Sequence, residues 1–429
     1  MKKIIALLLA VLMVLSMVAC ASKTTDDTPA DTTPADTTPA DTTTEDTEKT
    51  DEPADTTTDA EPVETDGEYA VAMITDYGDI TDQSFNQTTY EACKAFCEAN
   101  GITFNYFKPA GDNTADRVAM IEKAVDEGYN VIVMPGYAFG GAIVEAAPEY
   151  KDVKFVALDV GKGDLLEAGV AAAGETYDYN PDNWNLEDYV DMSNVYCAIY
   201  QEELCGYMAG YAAVKLGYEK LGFLGGMAVP AVVRYGYGFV QGVDAAAKEL
   251  DKTVELNYVY GNMFSGDPDI TAAMDVWYQG GTQVVFACGG GIYTSAVEAA
   301  LKSNGYVVGV DVDQNYIGVN GVADGSFAYN PFITSAMKGL TEAVNTALSD
   351  IEAGDWSEIA ASNGNFGLED GDYVGLPTDA DSWNFETFTT DEYEALKEKI
   401  KSGEIAVDNS SDDSTKPTVS EFTTVNYIQ

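Results

Sequence analysis

The sequence predicts an α/β protein made of two parallel-sheet lobes. From residue 69 onward, short β-branched and aromatic runs alternate with helical patterns, the signature of parallel strands covered by helices. The alternation comes in two series, with a polar stretch rich in Asp, Asn and Gly between them at residues 161–191. The span from 69 to 429 is also long enough for two domains at roughly 100–200 residues each.

In the first series, residues 69–75, 103–107, 130–134 and 153–158 read as strands, and 84–100, 114–127 and 140–149 as helices. In the second, 194–199, 220–224, 253–260, 282–287 and 306–310 read as strands. Helices are expected at 202–216, 231–250, 270–278 and 293–303. The expected N-terminal lobe is 69–192 with part of 312–376, and the C-terminal lobe is 193–311 with part of 330–405. Residues 161–191 are expected to form an inserted loop near the first crossover, and 406–429 a C-terminal tail.

Three strands end on an acid: Asp76, Asp159 and Asp311. Open parallel sheets bind ligands beyond the carboxyl ends of their strands, so the three carboxylates are expected to face one cleft. Taken singly, each is also an ordinary turn or helix-cap residue. Gly289, Gly290 and Gly291 lead into a helix and read as a close backbone approach at the cleft. No Gly-x-x-x-x-Gly-Lys-Ser/Thr phosphate loop is present.

The N-terminus sets the compartment. Lys2 and Lys3 precede an apolar run at 4–15 and then small residues up to Cys20. This is a secretory signal, too short to span a bilayer as a mature helix. Residues 24–68 repeat Thr-Pro-Ala-Asp-Thr and contain almost nothing that can be buried. They read as an extended tether, or alternatively as a glycosylated stalk.

The formal net charge is −50, with 72 acidic against 22 basic residues and no His. Nucleic acid would repel such a chain. The lack of His excludes Ser-His-Asp and Cys-His nucleophiles and His-based zinc sites. Arg117 and Arg234 are the only arginines, which leaves few groups to hold a phosphorylated ligand. Apart from Cys20 the cysteines are Cys93, Cys97, Cys197, Cys205 and Cys288. They read as buried thiols, with a redox or metal role as the alternative.

The segment from Thr75 to Gln87 joins a strand end, a turn and a helix start, with Asp82 placed to cap the helix. Phe85 can offer a ring face to a flat ligand, with Asn86 beside it to donate and accept. Its residues Asp76, Gly78, Asp82, Ser84, Phe85, Asn86 and Gln87 resemble the opening motif of the basic membrane protein family, the PnrA-like purine nucleoside receptors. One extra residue stands between Gly78 and Asp82. Blocks at 148–159, 203–213, 221–242, 309–314 and 334–338 resemble the family's later blocks in the same order. Val-Ala-Cys20 resembles a bacterial lipobox. That implies a diacylglyceryl anchor on Cys20 and a protein held on the extracytoplasmic face of the cell membrane; a secreted protein with a chance Cys is the alternative.

The family resemblance implies a type I periplasmic-binding-protein fold, two Rossmann-like lobes joined by a hinge. It also implies capture of a small neutral ligand, a purine nucleoside first, for an ABC permease, with no catalysis and no cofactor. By position, Phe85 would stack on the base, Asn86 would bond to it, and Asp159 would accept from its edge. Asp311 and Lys338, the latter read as lying on a helix, would hold ribose hydroxyls, Asp76 would line the cleft, and Tyr235 would form a second aromatic wall. Two other readings remain: a ligand sensor using the same fold, and an anchored nucleoside-processing enzyme with Asp76, Asp79 and Asp82 around Ca²⁺. The spacing of those acids does not match the Asp-x-Asp-x-Asp-Gly calcium loop.

Overall fold

The computed structural model describes residues 69–383 and 385–428. Residues 1–68, where the signal segment, the Cys20 anchor and the tether are expected, lie outside the described residues. The first lobe runs β1 (Ala70–Ile74), α1 (Phe85–Asn100), β2 (Thr103–Phe107), α2 (Thr114–Asp126), β3 (Val131–Pro135), α3 (Gly140–Glu149), β4 (Lys154–Leu158), α4 (Lys162–Ala172) and β5 (Val195–Tyr200). The second runs α5 (Glu202–Lys215), β6 (Lys220–Gly225), α6 (Pro230–Leu250), β7 (Val254–Tyr260), α7 (Pro268–Gln279), β8 (Val284–Cys288), α8 (Tyr293–Ser303), β9 (Tyr306–Asp311), α9 (Asn315–Asp324) and β10 (Phe332–Lys338). α10 (Leu340–Ala353), β11 (Ser362–Phe366), β12 (Val374–Gly375), α11 (Thr390–Lys401) and β13 (Thr423–Tyr427) complete the chain.

One sheet has the order β11-β5-β4-β3-β1-β2, the other β12-β10-β9-β8-β6-β7-β13. Every pairing is parallel except β10 with β12. Central strands such as β1, β3 and β8 are buried along their whole length. They therefore read as unbroken apolar runs, as strands covered on both faces must.

The chain passes between the lobes three times: at Gln201, at Gly339, and between Phe366 and Val374. The crossings are tied side by side. Gln201 N–H donates to the Phe366 carbonyl at 2.9 Å, and Gly339 N–H to the Tyr373 carbonyl at 2.8 Å. After the second crossing α10 packs on α1 of the first lobe.

Four expectations are corrected. Residues 195–200 form the fifth strand of the first sheet, so the crossing lies after Tyr200 and not near 193. The stretch at 161–191 is therefore internal to the first lobe, and it begins with α4. The sequence hid that helix because Asp and Gly punctuate it, yet Leu165, Leu166, Gly169 and Val170 are buried on one face. Lys338 ends a strand and is not on a helix. Within the supposed tail, β13 extends the second sheet beside β7, tied on by hydrogen bonds from Ser420 N–H and Oγ to Asp244.

Helices α5 and α6 are in close backbone contact. A Cβ on Gly206 would sit 2.2 Å from the Tyr235 carbonyl oxygen, and one on Gly210 2.3 Å from that of Phe239. Reciprocally, a Cβ on Gly238 would lie 2.1 Å from the Glu203 carbonyl oxygen and one on Gly242 1.9 Å from that of Tyr207. Two glycine pairs, each spaced by four, let the helices touch where any side chain would hold them apart. This contact brings the start of α5 against the start of α6 at the cleft.

Candidate ligand-binding cleft

A cavity of about 480 Å³ opens at the carboxyl ends of the strands of both sheets. Asp76, Phe85, Asn86, Asp159, Tyr235, Asp311 and Lys338 all line it.

Asp159 and Asp311 terminate β4 and β9 with left-handed backbones, φ 59° and 66°. For a non-glycine residue this conformation is uncommon, and Asp is among the side chains that tolerate it best. Both carboxylates approach Lys338. Asp159 Oδ2 bonds the ammonium directly, and Asp311 Oδ1 lies 3.6 Å from it. Glu202, the first residue of α5, is 3.7 Å away on another side. Phe85 lies under the same ammonium, with Nζ 4.7 Å from the ring centroid, and the rings of Tyr200 and Tyr235 are at 5.5 and 5.7 Å. Burial works against the Lys338 charge, but the three carboxylates outweigh it and hold its pKa above the usual lysine range. Burial raises the Asp159 pKa to about 6, with Lys338 opposing the rise.

Ser84 completes the junction. Its hydroxyl donates to Asp311 Oδ2 at 2.5 Å, joining the start of α1 in one lobe to the end of β9 in the other. Beside it, Gln314 Nε2 donates to the Gln83 carbonyl at 3.0 Å and the Tyr316 hydroxyl to Gln83 Oε1 at 2.7 Å. The lobes are thus bridged on this side of the cleft.

Asp82 anchors the start of α1, accepting from the backbone N–H of Ser84, Asn86 and Gln87 at 3.0, 2.9 and 3.1 Å. Its Oδ2 also accepts from Asn86 Nδ2 at 3.1 Å. That fixes the Asn86 amide and leaves Oδ1 buried with no protein partner. Asp159 Oδ1 is likewise buried and unpartnered. Asp76 Oδ1 accepts from the N–H of Tyr77 and Gly78, both at 2.7 Å, so part of this carboxylate shapes the turn. Asp79 pairs with Lys108 at 3.0 Å. Among the described residues no group of three or more potential ligands could hold a metal ion. The five cysteines are free and buried.

Tyr235 is 1% exposed. Its hydroxyl points to Asp311 at 3.4 Å and its ring meets Phe286 edge-on, so it forms floor as much as wall. The glycines after β6 and β8 serve a residue that sequence reasoning missed. A Cβ on Gly226 would lie 2.4 Å from Phe264, and one on Gly289 2.9 Å. They make room for the Phe264 ring, which lines the cavity. Glu202, Arg234, Asp164 and Ser84 were missed as well. Arg234 and Ser84 stand inside the quoted motif blocks, which was the available signal. Asp164 was hidden with α4. Arg234 Nε donates to Glu202 Oε2 at 2.6 Å. Across the cleft from it, burial raises the Asp164 pKa to about 7, with Arg234 opposing.

Residues 69–411 match the family described as ABC transporter substrate-binding protein PnrA-like. A protein of Listeria innocua named CD4+ T-cell-stimulating antigen is 28% identical over 353 residues, covering 79% of this chain and 88% of that one. A protein of Lactococcus lactis named ABC transporter nucleoside-binding protein BmpA is 27% identical, covering 65% and 73%. Among solved structures, an ABC transporter solute-binding protein of Aeropyrum pernix superposes with a TM-score of 0.63 at 19% identity, covering 81% of this chain and 95% of that one. The fold is that of solute-binding proteins, two parallel-sheet lobes closing on a cleft. With a match that spans both lobes and the cleft between them, the chain belongs to the PnrA-like family of ABC transporter substrate-binding proteins and is not an enzyme.

Proposed function

We propose that the protein captures a purine nucleoside outside the cytoplasm, anchored to the cell membrane through acyl chains on Cys20, and delivers it to an ABC permease. One arrangement carries the reading. An aromatic ring, Phe85, stands among buried oxygen acceptors without protein partners, Asn86 Oδ1 and Asp159 Oδ1, in a cavity shared by both lobes. A guest with a flat face and several N–H or O–H donors fits such a surface. The cavity volume is within the range of small-molecule sites. The name of the Lactococcus relative, a nucleoside-binding protein, agrees.

Calorimetry with adenosine, guanosine, inosine and free ribose tests the ligand. Nanomolar to micromolar binding of nucleosides, about −8 to −12 kcal/mol, with none of ribose, is the expected result; no heat with any nucleoside would reject it. For the anchor, Cys20→Ala should move the protein from the membrane fraction to the medium. A single acyl chain binds marginally and two hold stably. Nucleoside uptake by cells lacking the protein tests delivery.

A further inference from the structure

Arg234 is one of two arginines in an acidic chain, and it faces the cavity from near the start of α6, as its fifth residue. The α5–α6 glycine contact sets it against Glu202, which is wholly buried. Glu202 does not line the cavity, but it engages two cations that do, Arg234 at 2.6 Å and Lys338 at 3.7 Å. Among the described residues, the one hydrogen bond made by the Arg234 guanidinium is from Nε to Glu202. The two Nη groups form the opposite edge of the planar fork, and they make no hydrogen bond to any of the described residues.

We infer that Arg234 is a specificity residue whose guanidinium donates a pair of hydrogen bonds to paired acceptors on the ligand, selecting 6-oxopurine nucleosides over 6-aminopurine ones. This rests on the nucleoside reading above. A guanidinium fork matches two adjacent acceptors, and O6 with N7 of guanine or hypoxanthine supplies them. Adenine offers N7 beside an amino group, so one donor would meet another donor. The unpartnered acceptors Asn86 Oδ1 and Asp159 Oδ1 suit the ligand's own N–H groups. The cavity thus supplies donors on one side and acceptors on the other. Glu202 neutralises the arginine and holds the plane of the fork, so its orientation exists before ligand arrives.

The ligand-side test needs no variant. Guanosine should bind roughly 5- to 150-fold more tightly than 7-deazaguanosine, and inosine more tightly than adenosine by a similar factor, the range of one bidentate arginine–purine contact. Arg234→Lys keeps a cation beside Glu202 and removes the fork; with it the guanosine to 7-deazaguanosine ratio should fall toward one. Equal affinities for guanosine and 7-deazaguanosine on the unmodified protein would overturn the inference and leave the nucleoside reading standing. So would an unchanged ratio in Arg234→Lys. Absence of binding by all four would overturn both.

Discussion

Asp159 and Asp311 end corresponding strands of the two sheets in the same left-handed turn and meet on the ammonium of Lys338. Lys338 is itself the last residue before the second crossing between lobes, and Glu202, the third carboxylate on it, follows the first crossing. The ionic cluster is therefore built from the hinge. A hinge closure of the two lobes around a ligand would therefore move these charges relative to one another.

Lys338→Met should destabilise the protein by about 3–5 kcal/mol at pH 7, because it leaves several carboxylates buried without their cation. Urea unfolding measures this. Adding Asp159→Asn should recover part of the loss, since one stranded charge is removed. A Lys338→Met protein as stable as the parent would mean that the cluster is solvated.

Phe85→Ala should weaken nucleoside binding by about 1–3 kcal/mol, the scale of one base stacked on an aromatic side chain. It also removes the ring beneath Lys338 at 4.7 Å, so a small loss of stability should accompany it. Calorimetry and thermal melting separate the two effects.

The sequence displayed this cleft better than its frame. Strand ends carry acids at fixed places, so Asp76, Asp159 and Asp311 were visible as a set, and the Ser84-Phe85-Asn86 run announced the ring and amide. The hinge was not visible. A strand such as β5 looks the same whichever sheet it joins, and the pairing that decides, β5 between β4 and β11, involves a partner more than 150 residues away. Glu202 and Arg234 escaped for a similar reason. Each alone is a charge near a helix start, and only the contact of α5 with α6 makes them a pair. Lys338, expected on a helix, lies on β10 because pairing with β9 and β12 fixes it there, and such tertiary context overrides local preference.

Stability should rise as pH falls from about 8 to about 5. Burial raises the folded-state pKa of Asp159 to about 6 and those of Asp164 and Glu203 to about 7. Each group binds its proton more tightly when folded than when unfolded. Its contribution is complete below the ordinary carboxylate pKa and is lost as pH rises through the raised value. Asp191, held down to about 2 by Lys151, acts in the opposite sense, but only below the usual Asp range. Melting temperature against pH checks the sign. Glu203→Gln, a change away from the cavity lining, should flatten the slope between pH 5 and 8.

Gly242→Ala should cost more than about 2 kcal/mol, although alanine in a helix is ordinarily favoured over glycine by about 1 kcal/mol. The new methyl would lie 1.9 Å from the Tyr207 carbonyl oxygen. A backbone atom cannot swing aside as a side chain can, so α5 and α6 must separate, and overpacking of this kind typically costs 1–3 kcal/mol or more. Separation would also pull Glu202 from Arg234, since one stands on each helix. Gly206→Ala, which meets the Tyr235 carbonyl oxygen one turn from the cleft, should therefore lose ligand affinity along with stability. Gly217→Ala is the control. That residue has open space around it and a left-handed backbone, so it should lose some stability through strain while its ligand affinity stays at the parent value.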